Sequence, residues 1–91
     1  MKWNEFKDEI TSLTDLEKAE LELMASLAAI RKQRNMTQEQ LAQVSHVTQA
    51  QIARVENQLY VPSLRTLTKI ASGLNLKLAL IDKSTNKVVK A

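Results

Sequence analysis

Four short stretches of this sequence carry the chemistry that starts a helix, and their spacing sets the grain of the fold. Thr14-Asp15-Leu16-Glu17, Thr37-Gln38-Glu39-Gln40 and Thr48-Gln49-Ala50-Gln51 each place a hydroxyl three residues before a Glu or Gln. The hydroxyl accepts a bond from an orphan backbone N–H of the first turn, and the longer side chain reaches back to the cap. Ser63 follows Pro62, which blocks any preceding helix and leaves Ser63 to cap a fourth. A single cap is worth only about 1 kcal/mol. Four of them divide the chain into short helices, which excludes a sheet-dominated fold.

The apolar pattern agrees with this punctuation. Leu16, Leu23, Leu27 and Ile30 recur at helical spacing, predicting a long helix from about Asp15 to Arg34. Two short helices follow, Gln38–Ser45 and Gln49–Gln58, joined tightly at His46-Val47. A fourth carries Leu64, Leu67, Ile70 and Ala71 and stops at Gly73, the expected left-handed residue. Ahead of Thr14, Trp3, Phe6, Ile10 and Leu13 predict a further short amphipathic helix. After Gly73 the period changes to two: Leu76, Leu78 and Leu80 share one face of a strand at Leu76–Ile81, and Lys87-Val88-Val89 offers a return strand. The expectation is mainly α, five helices with a short C-terminal strand or hairpin. Its parts are residues 1–13, a central domain at 14–75 and a C-terminal element at 76–91.

Composition narrows the function. With no cysteine there is no disulfide, thiolate nucleophile or cysteine-bound zinc, and a reducing cytoplasm is the expected setting. One histidine and one glycine leave no histidine pair for a metal, no glycine-rich phosphate loop and no nucleophile elbow. The expectation is therefore a binding protein with no cofactor, no metal and no catalytic residue. No apolar run approaches the roughly 18–20 residues of a membrane span, and the charged start is unlike a signal peptide.

Two short helices joined by a tight turn meet the demands of a helix-turn-helix. Ala42 lets the second helix approach the first, and Leu41, Val47, Ile52 and Val55 bridge the pair. Thr48, Gln49, Gln51 and Arg54 bring groups that bind phosphate and bases to the start of the second helix. Gln can bond adenine and Arg guanine, each through two hydrogen bonds.

Three blocks in order, Met36-Thr37-Gln38-Glu39-Gln40-Leu41-Ala42, Val47-Thr48-Gln49-Ala50-Gln51-Ile52-Ala53-Arg54-Val55-Glu56-Asn57 and Pro62-Ser63-Leu64-Arg65-Thr66-Leu67-Thr68-Lys69-Ile70-Ala71, resemble the Cro/C1-type (XRE) helix-turn-helix family. The resemblance covers about Ile30 to Asn75. It implies that Gln49, Gln51 and Arg54 face bases, that Gln38, Thr48 and Asn57 hold phosphates, and that Glu56 pairs with Arg31 in a structural role. The sequence departs from the family at His46, where the turn usually holds glycine; His is among the side chains that tolerate a left-handed backbone better than most.

Charge is divided along the chain. Residues 1–23 carry three lysines against seven acids, a net of −4, and residues 24–91 carry ten basic residues against three acids, a net of +7. The split points to two partners of opposite charge. Leu74-Asn75-Leu76-Lys77-Leu78-Ala79-Leu80-Ile81 and Leu16-Glu17-Lys18-Ala19-Glu20-Leu21-Glu22-Leu23 are similar to segments of HigA-type antitoxins. That resemblance implies a type II antitoxin that represses its own operon and neutralises a small basic mRNA-cleaving toxin of the RelE/HigB type. Trp3, Phe6 and Ile10 are then the toxin contacts, or they fold back on this chain's own long helix. Leu76, Leu78 and Leu80 either meet the return strand or, in the reading we favour, pair across a twofold axis in a homodimer on palindromic operator DNA. The alternatives are a stand-alone Cro/C1-type repressor without a toxin, and an adaptor that keeps the motif only as scaffold.

Overall fold

Helix α1 (Trp3–Gln33) runs unbroken through two segments that the sequence divides at Thr14. The computed structural model describes the backbone of residues 3–90 and the side chains of residues 14–90. It contains four helices where the sequence predicts five: α1, α2 (Gln38–Ser45), α3 (Gln49–Glu56) and α4 (Leu64–Gly73). The reason lies upstream of each cap. An N-cap needs an extended backbone, so something must first end the preceding helix. Asn35 (φ 56°) stands two residues before Thr37, His46 (φ 59°) two before Thr48, and Pro62 just before Ser63. Before Thr14 stands neither a left-handed residue nor a proline among the described residues, and the helix passes straight through it.

At the other three sites the capping chemistry forms as expected. The Thr37 hydroxyl accepts from the Gln40 N–H at 3.0 Å, and the Thr37 N–H donates to Gln40 Oε1 at 2.8 Å. Thr48 and Gln51 repeat this at 3.1 Å in both directions. Ser63 accepts from the Thr66 N–H at 3.1 Å.

All four helices close with a left-handed residue that is not glycine: Asn35, His46, Gln58 and Asn75. In each case the next N–H turns back to a last-turn carbonyl: Met36 to Arg31, Val47 to Ala42, Leu59 to Arg54 and Leu76 to Ala71. This corrects the expectation for Gly73, which lies inside α4 with an ordinary backbone. Its missing side chain serves contact instead. A Cβ there would stand 2.9 Å from Ser45 Cβ and 3.0 Å from Leu41 Cδ1, so α4 presses directly on α2.

The core is built from Met24 and Leu27 of α1, Leu41 of α2, Val47, Ile52 and Val55 of the turn and α3, and Ile70 and Leu74 at the end of α4. The four bridging residues predicted for the two short helices are all buried in it. Ala42 and Tyr60 pack against its edge. Leu16 and Leu23 are exposed.

The C-terminal strand is shorter than its alternation predicts. A two-stranded antiparallel hairpin pairs β1 (Ile81–Asp82) with β2 (Lys87–Val88) in the register Ile81 to Val88 and Asp82 to Lys87. The Val89 N–H extends the ladder to the Leu80 carbonyl at 2.8 Å. Asp82 Oδ1 accepts from both the N–H and the hydroxyl of Ser84, and Asn86 closes the turn at φ 56°. Leu76–Ala79 lies outside the pairing, since the bond from Val89 to Leu80 is the last of the ladder.

Candidate nucleic-acid interface

The geometry of α3 is set from behind by one buried ion pair. Arg31 of α1 is only 8% exposed. Its Nε and Nη2 donate to the two carboxylate oxygens of Glu56 at 2.6 and 2.8 Å, and its Nη1 donates to the Met36 carbonyl at 2.6 Å. Gln38 Nε2, on the first turn of α2, donates to the same carboxylate at 3.1 Å. One carboxylate thus ties the end of α1, the start of α2 and the end of α3. Burial pushes the Glu56 carboxyl up, but hydrogen bonds from Arg31 and Gln38, with the charges of Arg31 and Lys32, outweigh it and hold the group below its ordinary value. The hydrogen bond to Glu56 in turn raises Arg31. Such two-pronged guanidinium–carboxylate bonding fixes orientation as well as distance.

In front, α3 presents a free face. Ile52 and Val55 are buried, while Ala50, Arg54 and Asn57, at i, i+4 and i+7, are exposed on the opposite side. Gln49 is exposed beside them. Gln49 and Arg54 make no side-chain hydrogen bond or ion pair among the described residues, so their donors and acceptors remain available. The stripe runs the length of α3, from Ala50 in the first turn to Arg54 in the last and Asn57 at the C-cap; Gln49 stands at the amino end, where backbone N–H groups favour anions.

The site residues expected from sequence therefore divide. Gln49, Arg54 and Asn57 stand in the open. Thr48 and Gln51 are at the amino end of α3 with Gln49, but Gln51 Oε1 accepts from both the N–H and the hydroxyl of Thr48. Gln38 is half-buried, with its amide committed to Glu56. Ala50 belongs to the outward stripe and was missed because its small apolar side chain carries no hydrogen-bonding signal. The side chains of Trp3, Phe6 and Ile10 lie outside those described. Of the three leucines expected at a subunit contact, Leu76 packs half-buried against the core, Leu78 is half-buried and Leu80 is 78% exposed. Among the described residues no group of His, Cys, Asp and Glu could hold a metal ion, and no helix is long and apolar enough to cross a membrane.

Comparison with known proteins places this geometry. The model of the helix-turn-helix family matches residues 27–81. An uncharacterized HTH-type transcriptional regulator of Haemophilus influenzae is 33% identical over 81 residues, 87% of this chain and 83% of that protein. The immunity repressor protein of Bacillus phage phi105 is 38% identical over 55 residues; the match takes in 60% of this chain and only 38% of the repressor's length. No solved structure gives a significant match. The family match spans both short helices, the Arg31–Glu56 pair and α4, and the chain belongs to the helix-turn-helix family in its Cro/C1-type (XRE) form.

Proposed function

We propose that this chain is a sequence-specific DNA-binding transcriptional repressor that acts as a homodimer on a palindromic operator. The observation that carries the reading is the free stripe of α3: Gln49 and Arg54 point outward, unpaired, from a helix whose back is fixed by buried contacts. Gln49 and Arg54 read base edges in the major groove. Thr48, Gln51 and Asn57 flank them; Gln51 contributes through the amide nitrogen that its cap leaves over. Gln38 acts mainly by holding α2 to Glu56. The basic body supplies phosphate attraction, so affinity falls steeply with salt. Both relatives are regulators by name, one of them a repressor.

The test compares Arg54→Ala with the unchanged chain on the selected operator and on random DNA. The operator complex is expected to weaken by about 1–3 kcal/mol with relaxed preference at one base position. Equal loss on both DNAs would remove Arg54 from base reading.

A second reading adds an antitoxin role. It is favoured by a cleft of about 220 Å³ between α1 and the loop before α4, with Leu21, Met24, Tyr60 and Val61 as its apolar lining and Glu17 and Glu20 beside them. A basic ribonuclease with an apolar anchor suits that lining. Co-purification with the product of an adjacent basic reading frame, lost in Glu17→Lys/Glu20→Lys, supports this role. Unchanged capture by that double variant removes the cleft from it.

A further inference from the structure

We infer that the cleft between α1 and the segment after α3 is a binding site for a small organic cation, a primary ammonium carried on an aromatic body. Volume sets the size of the ligand. The cleft holds about 220 Å³. An apolar cavity of about 150 Å³ takes a benzene ring, so this one takes a ring with a short tail. Buried Met24 forms its floor, half-buried Tyr60 contributes a ring, and exposed Leu21 and Val61 complete the apolar lining. Four apolar side chains from two elements thus line one space that the fold does not fill.

The polar groups of the cleft identify the charge. Glu17 and Glu20 stand at i and i+3 on α1, on one face of the helix. Glu20 is half-buried, and neither carboxylate makes a hydrogen bond or an ion pair among the described residues. Gln58 Nε2 donates to the Leu21 carbonyl at 3.3 Å, so the Gln58 side chain offers the cleft its oxygen. No Lys, Arg or His lines the space. The lining therefore presents acceptors and negative charge over an apolar floor. An ammonium brings three donors to them, and the face of Tyr60 attracts a cation as well. A partly desolvated carboxylate without a counter-ion gains most from such a partner.

A protein partner would have to add a surface of about 800 Å² around the cleft, whereas a small cation uses the cleft alone. The site also has a telling position. Gln58 is the left-handed residue that closes α3, and Tyr60 and Val61 lead on to Pro62 and the cap of α4. A bound cation therefore braces α1 against the chain leaving α3.

The test is an amide-resolved NMR titration of the full chain without DNA, which keeps it separate from the operator reading. Phenethylammonium is expected to give saturable shifts centred on Leu21, Gln58, Tyr60 and Val61, with a dissociation constant on the order of 1 mM. Phenethyl alcohol, the same body without the charge, is expected to bind about tenfold more weakly, and hydrocinnamate, its anionic counterpart, not measurably. Glu17→Gln/Glu20→Gln is expected to bring the ammonium down to the affinity of the alcohol and to leave the alcohol unchanged. Nα-acetyl-lysine amide carries the ammonium without the ring and is expected to bind at least about tenfold more weakly than phenethylammonium. Absence of saturable binding overturns the inference, as does equal binding of ammonium and alcohol or an unchanged affinity in the double variant. A lysine amide that binds as tightly as the aromatic amine also overturns it and gives the cleft to a protein side chain.

Discussion

Helices α2 and α3 are built almost alike and used in opposite ways. Each has eight residues, a threonine cap and a glutamine in the third position that closes a capping box. Each begins with a glutamine, Gln38 in one and Gln49 in the other. Gln38 is turned into the protein and bonded to Glu56, while Gln49 is exposed and makes no such bond. Helix α2 is covered by α4 on one side, with Ser45 buried and its hydroxyl donating to the Leu41 carbonyl at 2.6 Å. Helix α3 buries Ile52 and Val55, as many residues as α2 buries, and leaves Gln49, Ala50 and Arg54 exposed. The same local code thus serves as scaffold where a partly buried acceptor takes up the first glutamine, and on α3 leaves exposed the surface proposed to read DNA.

The strongest way to break this division is to cut the bond that holds the two helices together. Glu56→Gln leaves Arg31 charged and buried, with an expected cost of about 3–5 kcal/mol in denaturant unfolding. Because the folded-state carboxyl lies below its ordinary value, its stabilisation is fully present above the usual carboxylate range and is lost as the pH falls through the folded value. The stability gap between wild type and Glu56→Gln is therefore expected to shrink in acid, below about pH 4. A gap independent of pH would show that the charge of Glu56 is not what matters.

Gly73→Ala attacks the scaffold side. In an open helix this change stabilises by about 0.5–1 kcal/mol. Here the added methyl meets Ser45 and Leu41 on α2, and overpacking of about 1–3 kcal/mol is expected to reverse the sign. A raised melting temperature would mean that α2 and α4 separate easily.

A smaller effect sharpens the contrast directly. Gln38→Ala is expected to lower stability by about 1 kcal/mol, since it removes one hydrogen bond to a charged, partly buried acceptor. Gln49→Ala should leave stability within about 0.5 kcal/mol and reduce operator affinity instead. Matching stability losses from the two would erase the distinction. The smallest expected change is at the joint itself: His46→Gly relieves a left-handed side chain and should stabilise by about 1 kcal/mol or less, because glycine's freedom in the unfolded chain offsets part of the relief.

What could be read beforehand was local. Caps at Thr37, Thr48 and Ser63, the left-handed turn at His46 and the buried bridge of Leu41, Val47, Ile52 and Val55 depend on residues a few positions apart. Thr14 shows the limit of that reading, since the same four-residue pattern is silent without a helix end before it. Gly73 shows another. Glycine was expected for its backbone freedom, but Asn75 takes the left-handed position and Gly73 is needed for a contact with residues about thirty positions earlier. Residue type and family pattern assign Gln38 and Gln51 to DNA. Nothing nearby in sequence announces that Glu56 occupies Gln38, whereas the capping-box pattern at Thr48 already announces the bond that takes up Gln51. The edge leucines follow the same rule, because whether Leu76, Leu78 or Leu80 is covered depends on where the core stops.

The open stripe of α3 has a consequence for how such a protein can change over generations. Gln49, Ala50 and Arg54 have exposed side chains, and Gln49 and Arg54 bond to nothing within the described molecule, while Arg31, Glu56 and the apolar bridge maintain the frame behind them. On the proposed reading of this stripe, substitutions there retarget the protein to a new operator with little loss of folding, so specificity drifts while architecture stays put. The frame acts as a key blank, and the exposed side chains of α3 are its teeth.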